Sequence, residues 1–320
     1  MQSVEFQKFK DLEILPLELR RITKIFPGIV ANDSIDFDLR EGEIHSILGE
    51  NGAGKSTLMN IIAGLYPRDS GEMLIFNDHV NFSNPKQAID KGIGMVFQHF
   101  MLIKNHTVAE NIILGMPGIF KLSLNKVEKQ IKEISERYDL FVDPKKKIQE
   151  LSVGEQQRVE IVKVLFRGAK ILILDEPTAV LTPQESESLY EIMQRMTNEK
   201  QSIIFITHKM KEVMALSHRI TVLSRGKVME TLQKDETNPE KLAKLMIGNL
   251  EMIDSEKANE FLQKTIFEEK DNPKSVPKKE TNQNITLSLR DICASNDLGH
   301  QALKGISFEI KAGEILGMAG

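Results

Sequence analysis

Residues 49–57 read GENGAGKST, which satisfies the spacing G-x-x-x-x-G-K-[ST] with Gly49, Gly54, Lys55 and Ser56. Glycines let a backbone curl until successive N–H groups converge on phosphate oxygens, and the helix that follows adds a favourable dipole. In such a loop Glu50, Asn51, Gly52, Ala53 and Thr57 would line the phosphate, Lys55 would reach the β- and γ-phosphates, and the Ser56 hydroxyl would ligate Mg²⁺. The flanks agree: the apolar run Ile44 to Leu48 reads as a strand, and a helical run starts at Ser56. A Gly-rich turn that binds nothing needs neither the lysine nor those flanks.

Working outward, four more apolar runs read as strands buried on both faces: Ile93 to Phe97, Ile171 to Leu174, Ile203 to Ile206 and Ile220 to Leu223. Between them, Leu58 to Ala63, Asn125 to Tyr138, Gln156 to Phe166 and Gln184 to Met196 carry helical patterns, with another at Pro239 to Ile247. This alternation predicts an α/β domain from residue 17 to about 232. Asn125 is expected to cap its helix, with Glu128 completing a capping box.

Two further stretches bear on chemistry. KILILDEP, 170–177, ends a strand with Asp175 and Glu176, at the edge where open α/β sheets bind ligands. There Asp175 would hold Mg²⁺ through a water and Glu176 would orient or deprotonate an attacking water. Alone, Asp-Glu-Pro commonly just ends a strand; about 120 residues after a phosphate loop it reads as functional. LSVGEQQR, 151–158, opens a helix, with Ser152 as N-cap and Glu155 three residues later, and by itself it would be an ordinary capped helix start.

The remaining composition narrows the class. Across 320 residues, 41% hydrophobic and 28% charged side chains give the balance of a globular protein, in a chain long enough for one domain plus part of another. No apolar run approaches the roughly 18 residues of a membrane span, and MQSVEFQKFKDLEILP lacks the apolar region of a secretion signal. A cytosolic chain is expected, with any membrane role exercised through a partner. One cysteine, Cys293, leaves no internal disulfide and is expected to be a small buried hydrophobe. A net charge of -4 provides no overall attraction to nucleic acid, and Lys145 to Lys147 is expected on a solvated loop.

Residues 250 to 284 are rich in charge, Asn and Pro and read as a linker. The sequence then starts again. GIVANDSIDFDLREGEIHSILG at 28–49 matches GHQALKGISFEIKAGEILGMAG at 299–320 without a gap, at an offset of 271 residues, and LELRRI at 17–22 matches LSLRDI at 287–292 at an offset of 270. So long a period means duplication of a whole domain. Gly320 is the counterpart of Gly49, so the second copy is expected to be a truncated start.

Taken in order, the phosphate loop, LSVGEQQR, LILDEP and a strand ending in His208 (IIFITHKM) resemble the ATPase domain of ABC transporters. The resemblance implies a P-loop NTPase fold: a RecA-like core sheet, an antiparallel β subdomain and an α-helical subdomain at about 99–167. The implied organisation is an N-terminal extension at 1–16, an ABC ATPase domain at 17–249, the linker at 250–284 and the truncated second domain at 285–320. It implies ATP and Mg²⁺ as cofactors, Glu176 as general base, and His208 as the switch histidine on the γ-phosphate. It further implies Gln98 as the hinge glutamine that senses Mg²⁺ and the membrane partner, and Phe26 as the aromatic that stacks on adenine. Ser56, Gln98 and Asp175 would serve the metal; Ser152, Gly154 and Glu155 would act on the ATP of an opposing ATPase domain.

Two departures from the family pattern stand out. The motif reads LSVGE, with Val153 and Glu155 where LSGGQ is usual, so a carboxylate is expected near phosphates; Thr182 stands where many members carry Asp. Both, with the tandem duplication, resemble the subunits that energise importers of simple sugars and nucleosides. That implies two membrane-spanning permease subunits and an extracytoplasmic solute-binding protein as partners, dimerisation to supply a second ATPase domain, no nucleic acid, and a place at the cytoplasmic face of the membrane. Two other readings stand beside it: a soluble tandem ATPase acting on ribosomes or DNA, and a nucleotide-binding module that does not hydrolyse. Only 52 residues separate Gln98 from Leu151 at the start of LSVGE, which leaves no room for a long coiled-coil insertion.

Overall fold

The computed structural model describes residues 14–116, 123–247, 285–295, 301–314 and 316–317. It divides into two compact units, Met1–Glu268 and Glu269–Gly320.

The first unit is built on a six-stranded sheet. Its strands are β3 (Ile44–Leu48), β6 (Ile93–Val96), β7 (Ile171–Asp175), β8 (Ser202–Thr207), β9 (Arg219–Ser224) and β10 (Lys227–Gln233). They run in the order β10-β9-β3-β8-β7-β6, parallel except for β10. The near-continuous apolar runs follow from burial on both faces, because side chains alternate sides along each strand. One face sends Leu172, Leu174, Ile203 and Phe205 into a core shared with α3 (Val108–Ile113), α4 (Leu124–Tyr138), α5 (Val153–Phe166) and α6 (Pro183–Asn198). The other sends Ile47, Ile171, Ile173, Ile204 and Ile206 against α1 (Lys55–Ile62) and against Leu17, Ile22, Ile35, Phe37 and Leu39 of a second sheet.

That second sheet is antiparallel, in the order β2-β1-β4-β5, from β1 (Leu17–Phe26), β2 (Ile29–Leu39), β4 (Ser70–Ile75) and β5 (Asp78–Val80). Helices α2 (Pro85–Asp90), α7 (Met210–Leu216) and α8 (Pro239–Ile247) complete the unit, α7 and α8 packing on β9 through Val213, Leu242 and Met246. The fold is that of a P-loop NTPase with an antiparallel β layer and a helical layer.

One expected cap is displaced. α4 begins at Leu124 with Ser123 at the N-cap and no side-chain cap bond, so Asn125 lies inside the helix; Glu128 instead meets Lys145 at 3.7 Å. Lys145 to Lys147 are exposed, as expected.

The second unit contains a hairpin, β11 (Ile285–Ser295) against β12 (Gln301–Lys311). It repeats β1 and β2 residue for residue. Leu17↔Leu39, Leu19↔Phe37 and Ile22↔Ile35 recur as Leu287↔Ile310, Leu289↔Phe308 and Ile292↔Ile306, and the register shift between Leu19 and Ile22 recurs between Leu289 and Ile292. Arg21 (φ 49) and Asp291 (φ 50) occupy the same left-handed bulge position. The Arg21 N–H donates to Asp36 Oδ1 at 2.8 Å, and the Asp291 N–H to Ser307 Oγ at 2.9 Å. The one-residue difference in offset is taken up between the strands. Cys293, expected buried, is exposed: it sits on a ribbon that has, among the described residues, two strands. The 250–284 linker lies outside the described residues.

Candidate nucleotide site

The phosphate loop leaves the C-terminal end of β3 and is pinned from behind. A Cβ at Gly49 would stand 2.4 Å from the Leu223 carbonyl oxygen, and one at Gly54, whose φ is 99°, would stand 2.3 Å from that of Ala31. Only glycine fits either place. Around Gly52 (φ 82) there is open space, on the side where a ligand would approach.

Two donors hold loop carbonyls away from that space. The Gly226 N–H donates to Ala53 O at 3.0 Å and Asn32 Nδ2 donates to Gly54 O at 3.1 Å; Gly226 O in turn accepts from the Asp33 N–H at 2.8 Å. With the Ala53 and Gly54 carbonyls engaged by these donors, neither oxygen is free to repel an anion brought to the loop. Lys55 is buried, and its Nζ donates to Gly49 O at 2.6 Å and Glu50 O at 2.9 Å. Burial lowers its pKa, opposed by Glu176, Asp175 and Glu50.

Across from the loop, β7 delivers Asp175 and Glu176. Asp175 is driven above the usual carboxylate range by burial and then by its neighbour Glu176, with Lys55 working the other way. Glu176 adopts φ 45, a left-handed conformation that is strained for a residue with a Cβ, and its N–H donates to Ile206 O at 2.9 Å. Both its carboxylate oxygens are engaged: Gln98 Nε2 donates to Oε2 at 3.3 Å, and His208 Nδ1 lies 2.8 Å from Oε1. Since a carboxylate only accepts, that imidazole nitrogen carries the proton. Two residues from beyond the ends of β6 and β8, Gln98 and His208, thus converge on the carboxylate that follows β7.

Phe26 stands edge-to-face with Tyr66, ring centroids 5.7 Å apart, with Lys24 Nζ 5.4 Å from its centroid. Ser56 is exposed at the first turn of α1 and Thr57 half-buried behind it. Ser152, Gly154 and Glu155 lie elsewhere, at the start of α5. Ser152 Oγ accepts from the Glu155 N–H at 3.2 Å and Glu155 Oε2 from the Ser152 N–H at 2.8 Å, a reciprocal capping box. The carboxylate that the sequence places near phosphates is therefore occupied by its own helix terminus. Gly154 packs on Glu185, whose Oε1 would be 2.3 Å from an added Cβ. Asn32, Gly226 and Tyr66 were not foreseen from sequence; only the 0% exposure of Asn32 in the structure marks it as a working polar group.

Comparison with known proteins agrees with this geometry. The ABC transporter family matches residues 32–179. The chain is 45% identical over 307 residues to the nucleoside import ATP-binding protein NupA of Lactococcus lactis subsp. cremoris, covering 95% of this chain and 56% of the relative. It is 44% identical over 306 residues to the guanosine import ATP-binding protein NupO of Bacillus subtilis, again covering 95% and 56%. The chain thus spans little more than half the length of the curated relatives it matches. Among solved structures, an ATP-binding cassette of an ABC transporter in its ADP conformation superposes with a TM-score of 0.65 at 26% identity, covering 73% of this chain and 99% of that one. A dimeric bacterial ABC transporter cassette superposes at 0.60 with 30% identity, covering 68% and 98%. A strand-borne phosphate loop facing a carboxylate held by a glutamine and a histidine, in a chain with these relatives, belongs to the ATP-binding cassette family of ABC transporters.

Proposed function

We propose that the chain binds and hydrolyses Mg-ATP to energise import of nucleosides, with simple sugars as the second solute class. The observation that carries hydrolysis is Glu176, poised between Gln98 and His208 at the mouth of the sheet. A carboxylate so held is placed to take a proton from an attacking water while His208 and Lys55 meet the terminal phosphate. Mg²⁺, when bound, neutralises phosphate charge. Ser56, Asp175 and Gln98 offer it oxygen donors suited to a hard cation, and among the described residues no cluster of three His, Cys, Asp or Glu side chains would hold a metal alone, so phosphate and water would complete its shell.

Ser152 and Gly154 would serve the nucleotide of an opposing cassette, so hydrolysis requires dimerisation or a second subunit. Ser152 Oγ accepts the helix N–H with a lone pair and keeps its proton to donate. Two permease subunits and a solute-binding protein would complete the importer at the cytoplasmic face of the membrane. A largely apolar cleft of about 200 Å³, lined by Leu65, Ile89, Phe97 and Met101 and reaching the residue before Gln98, has room for an apolar side chain or two from a permease segment. The nucleoside assignment rests on the two nucleoside import relatives at 45% and 44% identity, against 40% for a glucose import relative from Haloferax volcanii.

The test is steady-state ATPase and nucleotide binding on the purified chain. Wild type hydrolyses ATP, Glu176→Gln binds but loses turnover by a factor on the order of 10² or more, and Lys55→Ala loses Mg-ATP affinity. Undiminished binding in Lys55→Ala sinks the site. Turnover surviving in Glu176→Gln sinks the general base.

A further inference from the structure

Glu176 and His208 sit on two separate turns, one after β7 and one after β8, and a single buried carboxylate joins them. Glu212, in the first turn of α7, is 6% exposed. Its Oε1 accepts from Thr178 Oγ1 at 2.5 Å and its Oε2 from Thr207 Oγ1 at 2.7 Å. Thr178 lies two residues after Glu176 and Thr207 immediately before His208. Lys209 Nζ, 3.0 Å from Glu212 Oε1, supplies the countercharge and also reaches Thr178 O at 3.4 Å, while the Lys209 N–H donates to Thr207 Oγ1 at 3.0 Å.

A buried carboxylate persists only where donors and a countercharge satisfy it, and this one takes a donor from each turn. Its two oxygens are a fixed span apart, so it sets the spacing of the hydroxyls, and through them of the turns. Glu176 needs such a restraint, because its left-handed backbone would otherwise relax. We propose that Glu212 is a positioning residue: it locks the two turns together so that His208 Nδ1 and Glu176 Oε1 stay within hydrogen-bonding distance. The inference rests on the proposed roles of Glu176 and His208 in hydrolysis. It adds a group whose polar contacts are with Thr178, Thr207 and Lys209 rather than with Glu176 or His208 themselves.

The experiment uses Glu212→Ala and Glu212→Gln in the full chain, read by amide hydrogen exchange, Mg-ATP affinity and turnover. In Glu212→Ala the amides of Glu176, Ala179 and Lys209 should exchange faster together, with protection in β4 and α4 unchanged. Turnover should fall about 10- to 100-fold while Mg-ATP affinity moves less than about threefold, the size expected when reacting groups drift by about 1 Å. Glu212→Gln, which keeps the side-chain volume and one acceptor oxygen, should recover part of both losses. Should Glu212→Ala fail to fold, Thr178→Val and Thr207→Val each remove one arm, and each must loosen both turns. Loosening of one turn only, or affinity falling in step with turnover, overturns the proposal. A wild type without Glu176-dependent hydrolysis would instead overturn the functional reading, and exchange would still decide whether Glu212 couples the turns.

Discussion

Asp175 shows how one residue's surroundings set a measurable property. Burial holds its carboxyl above the ordinary value of about 3.9, so protons compete with a cation there at higher pH than at a surface aspartate. The Mg²⁺ concentration needed for half-maximal ATP binding should therefore rise as pH drops from 8 to 5. Asp175→Asn should need more Mg²⁺ throughout and show a shallower slope, the remainder coming from protonation of the nucleotide's own terminal phosphate; an unchanged slope would exonerate Asp175. Asn32 offers a second test. Asn32→Leu loses one neutral hydrogen bond worth about 1 kcal/mol but also removes a buried Oδ1 that has no partner, so Tm should barely move. Asn32→Asp replaces a donor with a charge against the Gly54 carbonyl and should cost about 3 kcal/mol by denaturant melt, with weaker Mg-ATP binding. At this scale the sequence was legible where spacing carries meaning: Lys55, Asp175, Glu176 and His208 stand in motifs. Asn32 and Glu212 were not, because a buried polar residue looks like a surface one until its partners, 22 and 34 residues away, fold around it.

Among the elements, the five parallel strands were readable because burial on both faces leaves unbroken apolar runs, and β3 (Ile44–Leu48) spans the residues expected. α5 starts at its expected cap, since Ser152 and Glu155 satisfy each other's backbone N–H. Asn125 failed as a cap because a capping sequence states a local preference, and the helix starts two residues earlier, with Ser123 at the cap position. The α5 cap leads to a prediction. Ser152→Ala should destabilise the first unit by about 1 kcal/mol in a chemical melt, while Ser152→Thr, which keeps the oxygen, should lose much less. Equal losses would mean that the side-chain oxygen does no capping. Antiparallel β1 and β2 were harder to delimit, since their alternating pattern is broken by bulges near Arg21 and Lys24.

In the molecule as a whole, the first unit contains three buried apolar clusters. In the second, Ile285, Leu287, Ile292, Leu303 and Ile306 are exposed, whereas Leu17, Ile22 and Ile35, the counterparts of three of them, are fully buried. A two-stranded hairpin without a covered face is marginally stable in water. Amides of β11 and β12 should thus exchange several orders of magnitude faster than those of β3 and β8 in the same sample; comparable protection would show that something covers the hairpin. What the hairpin does retain is its register and its left-handed bulge, which it shares with β1 and β2 although β1 pairs with β4 and, among the described residues, the hairpin pairs with no third strand. A shape encoded that locally has a consequence during synthesis. Residues 17–39 leave the ribosome ahead of β4 by 31 residues, which at 5–20 residues per second is roughly two to six seconds, whereas a hairpin closes in about 1–10 μs. For that interval the nascent ribbon must wait with open edges, and the kinks at Arg21 and Ser34 bend those edges out of the flat geometry that neighbouring chains on a polysome would need to zip onto them.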